Sequence, residues 1–210
     1  MQLIAMATMA LDHIGKLFFP SELIWQYAGR MAFPIYCYFV VLGYQRTRNI
    51  RNYMLRLLAI GAASQIPYML TFNTWGINVI GTLLAGLSTM ILMDRIKQAQ
   101  AQVLLAAAVG LLLDVLDFDY GSYGLLLIFI YRYTTSHRMV GLHMLLNFAY
   151  LFYKGESWTI QLASVIPTFV LACTPSIPKA LNRIAVPRWL WRSFYPVHFI
   201  ILFIIVFMLK

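Results

Sequence analysis

The sequence predicts an all-α fold, a polytopic transmembrane helical bundle of about nine spans, on three observations. Of 210 residues, 61% are hydrophobic and 11% charged, with a mean hydropathy of +0.75, a balance foreign to a water-soluble domain. Long apolar runs recur from end to end, whereas a transmembrane barrel would alternate lipid-facing and lumen-facing residues in short segments. The third observation is that the basic residues gather in alternate connections between those runs. A crossing takes about 20 residues, so nine use about 180 and leave only short loops. The chain therefore reads as one domain, 1–210, and Rossmann and TIM enzymes, disulfide scaffolds and disordered tails are excluded.

Turn residues and charges divide the chain into apolar stretches near residues 2–19, 23–44, 54–71, 77–93, 101–117, 121–135, 139–153, 157–174 and 193–209. The first ends at Pro20-Ser21-Glu22 and the second at the basic stretch from Arg46 to Arg56. The fifth to seventh are crowded, because Gly121-Ser122-Tyr123-Gly124 and the polar 134–138 segment leave little length between them; eight or ten spans fit almost as well. Trp25, Trp75, Trp158, Trp189 and Trp191 all fall near predicted span ends, as an interfacial aromatic belt requires.

With the first loop outside, the inner connections hold Arg46, Arg48, Arg51, Arg56, Arg95, Lys97, Arg132, Arg138, Lys179, Arg183, Arg188 and Arg192, while Glu22, Asp117, Asp119 and Glu156 sit on outer ones. That asymmetry places a multi-pass protein in the cell's inner (plasma) membrane, N-terminus in the cytoplasm and Lys210 outside. The net charge of +9 is thus topological, and no nucleic-acid partner is expected. The first segment lacks a basic n-region and a small-residue cleavage pattern and reads as a retained helix, not a signal peptide. Cys37 and Cys173 fall inside spans without CxxC spacing and read as buried thiols, with neither a disulfide nor a metal site expected. No phosphate loop, HExxH, GxSxG or internal repeat is present.

A charge within a span costs about 2.5–3.5 kcal/mol on insertion scales, so ionisable groups there face the bundle interior and seek partners. Asp12, His13 and Lys16 lie in the first span, Arg30 in the second, Asp114 in the fifth, His143 in the seventh and His198 in the ninth. Asp12 and His13 project about 100° apart on a helix, so the carboxylate must look elsewhere than to its neighbour. Lys16, at i+4, is one candidate partner. Arg30 is the other: a hairpin centred near Ser21 puts positions 12 and 30 at equal depth, and Arg30 is expected to meet Asp12 or His13. His13 reads either as a general base or as a histidine hydrogen-bonded between helices. His143 shares a face with Asn147; His198 shares one with Phe194 and Leu202. With Arg192 and the stretch Arg46 to Arg56, these two histidines are candidates for a cytoplasmic pocket taking a phosphate-bearing cofactor, because arginine forks match phosphate. Interhelical hydrogen bonding is the alternative for both. Asp114 reads as a satisfied or interfacial acid.

Asp12-His13-Ile14-Gly15, Gly29-Arg30-Met31-Ala32-Phe33-Pro34-Ile35-Tyr36, the basic stretch through Arg56-Leu57, Asn78-Val79, Asp119-Tyr120-Gly121 and Phe194-Tyr195-Pro196-Val197-His198 together resemble the TraX family, from about residue 2 to residue 205. The resemblance implies a transmembrane acyltransferase that takes an acetyl group from cytoplasmic acetyl-CoA and delivers it to an amine or hydroxyl at the outer side of the membrane. The acceptor would be a peptide or protein N-terminal amine or a surface glycan. It implies His13 as the catalytic histidine, general base or transiently acetylated nucleophile, with Asp12 and Arg30 beside it. Arg46, Arg56, Arg192, His143 and His198 are then the residues expected to bind acetyl-CoA. The family often carries a Glu where this chain has Leu42, before Gly43, and another where it has Gln65 in Ser64-Gln65-Ile66-Pro67. Their absence suits a hydroxyl acceptor as well as an amine. A different class competes: a small membrane transporter or scaffold in which Asp12, His13 and Arg30 form a proton relay or helix clamp.

Overall fold

The computed structural model describes residues 1–174 and 186–209. Among these the fold is helical: α1 (Gln2–Phe18), α2 (Leu23–Arg30), α3 (Ala32–Arg46), α4 (Ile50–Phe72), α5 (Val79–Met93), α6 (Ala99–Val115), α7 (Gly121–Tyr133), α8 (Ser136–Lys154), a 3₁₀ helix η1 (Glu156–Ser164), α9 (Val165–Cys173) and α10 (Arg188–Met208). The one β-type contact among them is an isolated parallel bridge between Ile77 and Phe118. Lys179, Arg183 and Lys210 lie outside the described residues.

Every apolar stretch read from the sequence is helical, but two are broken. The 23–44 stretch splits at Met31 into α2 and α3, and the 157–174 stretch splits into η1 and α9. Proline explains both. Its ring clashes with the carbonyl four residues back and it lacks an N–H, defects tolerated in the first turn of a helix. Pro34 and Pro167 each stand third in the helix that follows the break.

Nine full spans do not emerge. Among the described residues α10 is the helix both long and apolar enough to cross a membrane, while α5 and α6 are apolar but shorter, at 15 and 17 residues. The surface is nonetheless apolar over long faces: Leu55, Leu58, Ile66 and Leu70 on α4 and Val103, Leu104, Leu111 and Leu112 on α6 are all exposed. Contiguous apolar surface on this scale suits lipid better than water.

The helices fall into two compact units, Met1–Tyr38 with Ile130–Phe194, and Phe39–Phe129 with Tyr195–Lys210. In the first, α1 packs against α2, α2 against η1, and α8 against η1 and α9. In the second, α4 packs on α5 and α5 on α6. The loops of this second unit are tied by side chains that the sequence motifs contain. Asn78 caps α5 by accepting from Ile80 N at 3.0 Å. Its amide also donates to Gly61 O and to Gln65 Oε1, both at 2.8 Å. Gln65 Nε2 donates to Gly76 O at 2.8 Å. The Asp119-Tyr120-Gly121 turn docks beside it, with Ile77 N donating to Asp117 O and Asp119 N to Ile77 O. Asp114 is satisfied by Ser122, through its backbone N–H at 2.8 Å and its hydroxyl at 2.5 Å.

Position 65 uses an amide for what an ionised carboxylate cannot do, namely donate to a carbonyl. Gln65→Glu is expected to lose the Gly76 bond and set charge against a carbonyl oxygen, at about 1–3 kcal/mol. A lowered midpoint of thermal unfolding in detergent at neutral pH checks this.

Candidate functional site

The hairpin of α1 and α2 builds the candidate site. Two glycines let the helices touch: a Cβ at Gly15 would overlap the Trp25 side chain, and one at Gly29 would overlap Asp12, whose own Cα lies 2.6 Å from that point. Small residues at such crossings allow backbones to approach closely. Phe19 and Trp25 stack near the turn with ring centroids 5.2 Å apart.

This contact brings Arg30 to Asp12. Asp12 is buried on α1, as is His13. Lys16 Nζ lies 2.6 Å from Asp12 Oδ2, and Arg30 Nη2 lies 3.7 Å from Asp12 Oδ1. The second distance is an ion pair without a hydrogen bond, and Oδ1 accepts none among the described residues. Both partners anticipated for Asp12 are therefore present together. One buried carboxylate thus faces two cations that are themselves only partly buried.

The expected cofactor residues divide. Arg46 and Arg56 are exposed on either side of the α3–α4 turn in the second unit, and the Arg56 guanidinium lies 5.8 Å from the Tyr53 ring centroid. Arg46, Arg48, Arg51 and Arg56 have no ion-pair partner among the described residues. Arg192 is exposed on α10 within the first unit. His198 belongs to the second unit, where it is buried against Phe199, ring centroids 4.2 Å apart, and Tyr195, at 5.4 Å.

His143 does something else. It is fully buried in the first unit, with Nδ1 2.7 Å from Thr168 Oγ1 and Nε2 3.2 Å from Ser164 Oγ. Thr168 Oγ1 is 2.5 Å from the Tyr131 hydroxyl, and Asn147 Nδ2 donates to Ser164 Oγ at 3.3 Å and to His143 O at 3.0 Å. Both ring nitrogens are engaged between helices, which favours the interhelical reading over a cofactor contact. Ser164, Thr168 and Tyr131 were not anticipated from sequence. Their signal was the i, i+4 spacing of two hydroxyls, matching that of His143 and Asn147.

Cys37 is buried and Cys173 partly exposed, both as free thiols.

These features define a class: an apolar protein, helical throughout its described residues, carrying a buried acid and imidazole and a partly buried guanidinium at one tight helix hairpin. The chain belongs to the TraX family, whose description is "TraX protein" and which matches residues 1–206. It is also similar to the probable fimbrial assembly protein FimC, serogroup H1, of Dichelobacter nodosus, with 27% identity across 96% of this chain and 92% of that one. No solved structure matches the chain.

Proposed function

We propose that this chain is a multi-pass membrane acetyltransferase that moves an acetyl group from cytoplasmic acetyl-CoA to an amine or hydroxyl at the outer side of the membrane. Membership of the TraX family supports the reading, and one observation carries it: buried His13 beside a carboxylate that faces two cations. Acetyl-CoA, as substrate, supplies an activated thioester. The imidazole of His13 is suited to take the proton of an acceptor N–H or O–H as it attacks the thioester carbonyl, and to give that proton to the CoA sulfur as the C–S bond breaks and CoA leaves as the thiol. The guanidinium of Arg30, 3.7 Å from Asp12, has the charge and donor chemistry to stabilise the negative charge that builds on the acyl oxygen. Arg46 and Arg56 have the donor chemistry for the phosphates of the acyl donor. The fimbrial role in the name of the Dichelobacter relative supports an acceptor of protein-subunit type, an N-terminal amine.

The test is purified protein in lipid vesicles given acetyl-CoA labelled in its acetyl group, with peptide and glycan acceptors on the opposite side. Label on an acceptor is expected. Intact acetyl-CoA with no labelled acceptor would overturn the reading and leave Asp12, His13 and Arg30 as a clamp or proton relay. Within the acyltransferase reading, Arg46→Ala and Arg56→Ala are each expected to raise KM for acetyl-CoA about tenfold with kcat unchanged, the signature of lost uniform binding to a charged group. Initial rates against acetyl-CoA concentration check it.

A further inference from the structure

The hydrogen-bonded cluster around His143 lies away from the α1–α2 hairpin in sequence yet belongs to the same compact unit. It surrounds an unusual piece of backbone. Runs of 3₁₀ helix longer than three or four residues are uncommon, because their hydrogen bonds are poorer than those of an α-helix. Here nine residues, Glu156–Ser164, hold that form before the chain becomes α-helical at Val165. The change of helix type falls where His143 grips the chain: Ser164 ends η1, Thr168 lies one α-turn later, and their hydroxyls take the two nitrogens of one imidazole. The Asn147 amide joins the same contact, donating to His143 O and to Ser164 Oγ.

What η1 touches matters for the site, since it packs against α2, the helix that carries Gly29 and Arg30. We propose that His143 is a positioning residue: by pinning Ser164 and Thr168 it holds η1 in its 3₁₀ form, and η1 in turn seats α2 so that Arg30 meets Asp12. The lever is geometric. A 3₁₀ helix rises about 2.0 Å per residue and an α-helix about 1.5 Å, so relaxation of this segment shortens it by up to about 4.5 Å along the face on which α2 rests. A displacement of that size exceeds the 3.7 Å separation of Arg30 and Asp12. The inference rests on the acyltransfer reading only for its activity arm.

The test uses nitroxide labels at Tyr27→Cys on α2 and Thr159→Cys on η1, both exposed positions, in a Cys173→Ser background of the full chain, with distances read by pulsed electron resonance. His143→Leu removes both hydroxyl contacts and is expected to shift or broaden the label distance by several ångströms, up to the limit set by the change in rise. His143→Gln keeps one contact and is expected to move it less. An unchanged distance distribution in His143→Leu overturns the proposal. If that variant does not fold, Ser164→Ala and Thr168→Val, each removing one contact with the histidine retained, decide the same question by the same distance. In the activity arm, kcat is expected to fall with KM for acetyl-CoA unchanged and to recover in part in His143→Gln. Lost turnover with an unmoved distance would place His143 in the chemistry itself and overturn a positioning role. Should the unmodified protein transfer no acetyl group, the proposed function fails on its own, and the distance measurement still decides the role of His143.

Discussion

Alanine at position 13 is expected to lower acetyl transfer by about 10²- to 10⁴-fold, the contribution of a well-placed general base, while acetyl-CoA binding persists. The Asp12 carboxylate is taken up by Lys16 Nζ at 2.6 Å and by the Arg30 guanidinium at 3.7 Å, and neither of these contacts is made by the imidazole. The ion cluster and the hairpin should therefore persist in His13→Ala, and the lost rate reports chemistry. A helix clamp predicts the reverse, because Asp12→Ala would then be the damaging change and His13→Ala a mild one. Equal turnover in His13→Ala and unmodified protein removes His13 from the mechanism. Measuring both variants with labelled acetyl-CoA separates the two.

The second large effect concerns a residue without a side chain. Gly29→Val is expected to destabilise the protein by about 1–3 kcal/mol, the cost of forcing extra carbons into a close-packed contact, and to abolish transfer. The added Cβ would meet Asp12 Cβ, Oδ1 and Cα together. Since one of those atoms is backbone, truncating Asp12 does not make room, and the double variant Asp12→Ala, Gly29→Val should be no more stable than Gly29→Val alone. Thermal unfolding in detergent gives the stability, and turnover by the surviving folded fraction gives the function. Recovery of stability in the double variant would mean that the clash lies with the Asp12 side chain and not with its backbone.

Much of this hairpin was legible in the sequence. Charges are so few in an apolar chain that Asp12, Lys16 and Arg30 had to find one another, and counting residues on either side of the turn placed 12 and 30 at the same depth. The reason Gly29 must be glycine was not legible, since it depends on how closely two backbones approach. The interruptions at Met31 and Val165 were missed because hydropathy averages over a proline that geometry cannot ignore: Pro34 and Pro167 are single residues inside apolar runs. Pro67 and Pro196 lie inside α4 and α10 without ending them, so proline alone does not announce a break. The His143 cluster was half visible. Histidine and asparagine four apart marked one face, but Ser164 and Thr168 come from a segment whose mixed 3₁₀ and α character sets which hydroxyls converge.

The interruption at Met31 has an electrostatic side. An α-helix concentrates partial negative charge at its C-terminal end, where carbonyls lack intrahelical donors, and cations in the last turn are stabilised there. Arg30 is the final residue of α2. Had the 23–44 segment been one continuous rod, Arg30 would lie mid-helix, far from either pole, and Asp12 would be its main source of compensation. Because the rod is cut one residue later, Arg30 sits in the last turn of a helix as well as beside a carboxylate, a second favourable setting for its charge. The dipole of an eight-residue helix thus supports the cation from behind, and residue 34, through its ring, decides where that pole falls.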